Sequence, residues 1–122
     1  MWSILYSCCH ALYSLYINKF HHEALNVDQI FIDTSGIIKI ADSVLVPSTK
    51  NYLSLMNEGR EGFRYISPEL VNLVEDNNFY YYEKEKSDVF ILAMLMLEIG
   101  TLSTVKYYNP ISKKFNFDVV LP

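Results

Sequence analysis

Apolar residues recur at three- and four-residue steps through residues 2–18, at Ile4, Leu5, Cys8, Leu12, Leu15 and Tyr16. That spacing predicts a helix with one buried face, stopping near Asn18-Lys19. The period then changes. Residues 29–33 (Gln-Ile-Phe-Ile-Asp) and 37–41 (Ile-Ile-Lys-Ile-Ala) read as two short strands, and Thr34-Ser35-Gly36 between them as the turn of a tight hairpin. From residue 42 to 62 periodicity disappears, and Pro47, Ser48, Thr49, Asn51, Asn57 and Gly59 predict a surface loop. Ser67 stands as an N-cap before Pro68, opening a helix over 68–74 with Glu69 near its N-terminus. A polar break at 75–78 precedes Tyr80, Tyr81 and Tyr82. Ser87 then caps a helix that is almost wholly apolar after Asp88, and Gly100 supplies its stop. A helix apolar on every side is a buried helix. Residues 103–122 carry Asn109-Pro110 and the Lys113-Lys114 pair but suggest no further element. The fold class is α+β, mainly helical, with one short β-hairpin and a buried central helix.

Composition narrows this picture. A chain of 122 residues holds one domain at most, and 51% hydrophobic against 20% charged residues argues for a packed core rather than disorder. A net charge of −4 provides no electrostatic footprint for nucleic acid. Ten tyrosines and seven phenylalanines are more than a core this size needs, so part of them should lie at a surface that a partner covers. Cys8 and Cys9 are adjacent, which leaves no disulfide framework and favours a reducing, cytoplasmic compartment. A zinc site built from Cys8, Cys9, His10, His21 and His22 lacks the separated ligand pairs that zinc spacing requires, and helix packing explains the cysteines better. No basic residue leads the N-terminal apolar run, and the apolar run over residues 89–102 contains Glu98 and falls short of the about 20 residues a bilayer needs. No membrane partner is expected.

The candidate chemistry lies in an ordered set of short signals: His22 and Leu25, Gln29 before the hairpin, Asp42 after it, the Ser67-Pro68-Glu69 triplet, and Lys86-Ser87-Asp88 opening the apolar helix. Over residues 10–102 this order resembles the C-terminal lobe of a protein kinase domain, whose pattern is H-R-D-L-x-x-x-N, a hairpin ending in D-F-G, then A-P-E. The resemblance implies that residues 1–122 are a partial kinase-like domain. It implies a structural His22 beneath the Asp42 position, an Asp88 that holds the loop backbone, and Pro68 and Glu69 as the end of A-P-E. It also implies Phe31 under the adenine ring and Asp42 as the magnesium ligand, with Gln29 lending an oxygen.

The departures from the pattern carry the functional expectation. In the family the loop aspartate accepts the substrate proton and the asparagine holds a second magnesium. Here Ala24 stands at the aspartate position with no titratable group, and Asn26 stands where a lysine would face phosphate. Gln29 adds a methylene, which moves its oxygen by about 1.5 Å. D-F-G has become Asp42-Ser43-Val44, and Glu23 replaces an arginine. A carboxylate there repels phosphate, so modification of Ser48, Thr49 or Ser54 would not switch the loop through it. A rival register makes His21 the motif histidine, Glu23 the base and Asp28 a magnesium ligand beside Asp42. It needs an extra residue before the strand and breaks the matches at Leu25 and Ile30.

No Gly-rich phosphate loop or V-A-I-K lysine is present, which suits a segment of a longer protein or a remnant. The sequence therefore predicts an inactive pseudokinase scaffold or remnant, with no cofactor or at most weak Mg-ATP binding. Its partners would be the remainder of a kinase-like domain or another protein, and Phe20, Phe31 and Ile40, left facing water, predict self-association. The alternatives are part of an active Ser/Thr-type kinase that binds ATP and phosphorylates proteins, and a non-kinase helical interaction module.

Overall fold

Helix α1 (Trp2–Ile17) follows the predicted helical period and turns Ile4, Leu5, Cys8, Leu12 and Leu15 inward. The computed structural model describes residues 1–23, 25–41, 65, 67–70 and 83–103, with the backbone alone at 108–109 and 114–115. Tyr16, expected on the inner face, is instead 48% exposed, because its position lies beyond the arc that Leu12 and Leu15 occupy. The helix ends where Asn18-Lys19 predicts. Lys19 adopts a left-handed φ of 65°, its N–H donates to Tyr16 O at 3.0 Å, and Phe20 N–H donates to Leu15 O at 2.9 Å. This is the Schellman closure, with lysine where glycine is usual.

A single 3₁₀ turn (Val27–Gln29) leads into strand β1 (Ile30–Ile32), which pairs antiparallel with β2 (Ile38–Ile40). Ile30 faces Ile40, Phe31 faces Lys39, and Ile32 faces Ile38. Two more backbone bonds, Ala41 N–H to Gln29 O at 2.8 Å and Asp33 N–H to Ile37 O at 2.9 Å, carry the pairing out to the predicted limits at 29 and 41. Alternation accounts for burial only at the Ile30–Ile40 end, since Ile32, on the same face as Ile30, is 63% exposed. Ile30 and Ile40 pack on the core, whereas Phe31 is 56% exposed. Ile40 was expected to face water and does not, because it shares the inward face with its cross-strand partner Ile30.

Asp33 organises the hairpin loop. Its Oδ1 accepts from Ser35 N–H (3.0 Å), Ser35 Oγ (2.6 Å) and Ile37 N–H (2.9 Å), while Oδ2 meets Lys39 Nζ at 3.1 Å. Gly36, at φ 83°, takes the conformation that a side chain disfavours.

Helix α2 (Lys84–Thr101) starts before the expected Ser87 cap and runs past the expected Gly100 stop. Glu83 is its N-cap, and Ser87 lies inside the helix, its hydroxyl hydrogen-bonded to Ser67 Oγ at 2.9 Å. Leu102, at φ 50°, takes the left-handed cap that glycine was expected to provide. Gly100 lies inside the helix, where a Cβ built on it would meet Met1 Sδ at 3.4 Å, an ordinary van der Waals contact.

Nor is α2 buried on every side. Ser87, Asp88, Ile91, Leu92, Met94 and Leu95 face inward, but Val89 is 65% exposed and Ala93 is exposed too. Cys8 of α1, Leu25, Tyr65 and the inner residues of α2 form the core. The C-terminal region corrects one more expectation: β3 (Tyr108–Asn109) pairs antiparallel with β4 (Lys114–Phe115), a second hairpin too short to show alternation. Residues 68–70 have helical backbone, while 71–74, the 42–62 loop and the tyrosines at 80–82 lie outside the described residues. Among the described residues no helix is long and apolar enough to cross a membrane.

Candidate functional site

The loop between α1 and β1 is tied to α2 through one buried carboxylate. Asp88, 5% exposed on the second turn of α2, accepts the His22 N–H on Oδ2 at 2.9 Å and the Glu23 N–H on Oδ1 at 2.7 Å. Two successive amides can point at one carboxylate because Glu23 takes a φ of 63°, a left-handed conformation that a non-glycine residue holds only when its surroundings enforce it. Burial pushes the Asp88 carboxyl above its ordinary range, against the two N–H donors that favour the charged form.

His22 is 2% exposed and carries the link onward. Its Nε2 lies 3.0 Å from Ala41 O, and since a carbonyl only accepts, Nε2 carries the proton. Ala41 in turn donates its N–H to Gln29 O. A continuous set of hydrogen bonds therefore runs from α2 through residues 22–23 to the end of the hairpin, one residue before Asp42. Leu25, 2% exposed, anchors the loop in the core between these contacts.

The side chain of Glu23 lies against α2 as well, with Oε1 2.6 Å from Lys84 Nζ. Further along, Asn26 and Gln29 form a capping box. Asn26 Oδ1 accepts the Asp28 N–H at 2.9 Å, and Gln29 Oε1 accepts the Asn26 N–H at 3.0 Å. The Gln29 amide oxygen, expected to help hold magnesium, is thus drawn back onto its own turn. Asp28 is exposed, and Phe31 is half exposed on the outer hairpin face. Pro68 and Glu69 are partly buried beside Ser67, which the Ser87 hydroxyl fixes to α2.

The structure therefore brings His22, Glu23 and Asp88 together. Ala24 and Asp42 lie outside the described residues. Among the described residues no group of three or more His, Cys, Asp or Glu side chains is placed to hold a metal ion. Sequence reasoning missed Lys84 as the partner of Glu23, since the two are 61 positions apart with nothing local to link them. It also missed the Asn26–Gln29 box, although Asn followed three residues later by Gln is a capping pattern that could have found it.

Comparison with known proteins agrees with the motif order. The family described as "Protein tyrosine and serine/threonine kinase" matches residues 1–119. A Caenorhabditis elegans protein, the membrane-associated tyrosine- and threonine-specific cdc2-inhibitory kinase wee-1.3, is 27% identical over 101 residues, covering 83% of this chain. The match spans only 14% of that relative's length. No solved structure matches the chain. With nearly the whole of this chain matched by the family, and with the motif histidine, loop and apolar helix in family order, the chain belongs to the protein tyrosine and serine/threonine kinase family.

Proposed function

We propose that this chain is part of the C-terminal lobe of a kinase-like domain that has kept the family's loop scaffold and lost its phosphoryl-transfer chemistry, acting as a pseudokinase scaffold. The observation that carries the proposal is the two-amide clamp on Asp88. It supports the register in which His22 is the motif histidine, and that register puts Ala24 at the position of the proton acceptor. Alanine has no group to accept a proton, so a step worth roughly 10²–10⁴-fold in rate has no side chain to perform it.

Two further features support the reading. Gln29 Oε1 is engaged within its own capping box, which fits a second magnesium poorly, and Asp42 is left as the metal-binding carboxylate. Glu23, the base of the rival register, is ion-paired with Lys84, and its amide is tied to Asp88.

The test is radiolabel transfer from Mg-ATP to a protein substrate, using this chain and any longer polypeptide that carries it. Wild type and Asp42→Asn should both give no transfer, and Ala24→Asp is the variant expected to regain any. Transfer by wild type that Asp42→Asn abolishes would overturn the proposal and return Glu23 or Asp28 to a catalytic role.

A further inference from the structure

One face of α2 holds Glu23 at both ends. The Glu23 N–H donates to Asp88 Oδ1 at 2.7 Å, and its Oε1 accepts from Lys84 Nζ at 2.6 Å. Lys84 and Asp88 are four residues apart on α2, so they share a face and stand about 6 Å apart along its axis. The amide and the carboxylate of one glutamate span that turn. Lys86, two positions on from Lys84, points elsewhere and pairs with Glu83, so the helical register itself selects Lys84. The Glu23 side chain is 17% exposed against 44% for Lys84. The carboxylate end of the pair is thus mostly out of water, where salt screens it less than two surface charges. Between the two contacts lies the left-handed φ of 63°, a conformation that persists where the surroundings over-determine it.

We propose that Lys84 is a positioning residue for the loop between α1 and β1. Together with Asp88 it forms a two-point latch, made from the chain's own charges, that sets Glu23 without a phosphate. The proposal rests on the register above, in which Glu23 stands where the kinase pattern has arginine. An arginine held here, mostly out of water, would need an anion from elsewhere to compensate it. Glutamate brings the anion with it and α2 supplies the cation, so the pair closes within the chain. Negative charge added by modification of Ser48, Thr49 or Ser54 therefore meets a position that is already anionic, with its lysine engaged.

Hydrogen exchange of the Glu23 amide, read against the core amide of Leu95, tests the latch in the purified chain and in any longer polypeptide that carries it. Lys84→Gln should speed Glu23 exchange about two- to fivefold relative to Leu95, the range of a coupling with one exposed partner. Lys84→Arg should keep the wild-type ratio. Salt separates the charge from the packing of the lysine stem. In about 1 M sodium chloride, where the screening length falls to about 3 Å, the wild-type ratio should rise towards that of Lys84→Gln, and Lys84→Gln itself should not move. The variant with Ser48→Asp, Thr49→Asp and Ser54→Asp should stay within about twofold of wild type.

The latch is refuted by an unchanged Glu23 rate in Lys84→Gln, or by an equal rise at Leu95, which would make the lysine a general stabiliser. An identical salt response in wild type and Lys84→Gln refutes it too, as does a change beyond twofold in the triple aspartate variant. Radiolabel transfer by wild type would sink the loss of chemistry alone, whereas an unlatched Glu23 would sink the latch alone.

Discussion

Asp88 does the work of a cap for a loop that lies 65 and 66 positions away in sequence, and its removal should be felt as such. Asparagine keeps one acceptor oxygen, so Asp88→Asn leaves one of the two buried amides without a partner and removes the charge that strengthens the other bond. The expected loss is roughly 2–3 kcal/mol, read as a shift of the urea midpoint. A loss under about 0.5 kcal/mol would mean the clamp contributes little. The Glu23–Lys84 pair is a smaller effect, since Lys84 is 44% exposed and water screens it. A double-mutant cycle built on Glu23→Gln and Lys84→Gln should yield a coupling of roughly 0.5–1 kcal/mol, and an additive result would remove the pair from the account of the loop.

At the level of the element, Asp33 and Gly36 set the turn of the first hairpin. Hydrogen bonds from Ser35 and Ile37 and the neighbouring Lys39 hold the Asp33 carboxyl down to about 2, from the ordinary 3.8. The folded hairpin therefore prefers the ionised acid. The stabilisation is fully present above about pH 4 and is lost as pH falls through about 2. Carboxyl chemical shifts should place the Asp33 midpoint at about 2, and a midpoint at the ordinary 3.8 would refute the turn network. Gly36→Ala tests the backbone alone: an added Cβ meets nothing within 4 Å, so any loss comes from the φ of 83°. About 1–2 kcal/mol is expected, with hydrogen exchange accelerating across the paired amides.

For the whole molecule, the arrangement predicts weak nucleotide binding. Asp42 is one carboxylate, Gln29 Oε1 is occupied by the Asn26 N–H, and magnesium usually requires one or two carboxylates in addition to the phosphates. Calorimetric titration of the chain with Mg-ATP should give a dissociation constant weaker than about 1 mM, or less than about 4 kcal/mol of binding. Micromolar affinity would show a far more complete cleft than these side chains provide.

Periodicity and turn chemistry act within a few residues, so they were legible from the sequence. They placed α1, the 29–41 hairpin with its Thr34-Ser35-Gly36 turn and the apolar helix, and the order of the motifs pointed to the kinase family. Ends set by distant contacts were not legible. Ser87 looks like a cap until Ser67 takes its hydroxyl, and Gly100 looks like a stop although the helix runs on to Thr101 and Leu102 takes the left-handed cap. The outward face of α2 was equally hidden, because a helix apolar on all sides carries no mark of which side its neighbours will cover. The family resemblance already implied that Asp88 holds the loop backbone, but only the tertiary structure could name the amides of residues 22 and 23 as its partners and join Lys84 to Glu23, since packing selects those partners across more than sixty residues and no local rule reaches that far.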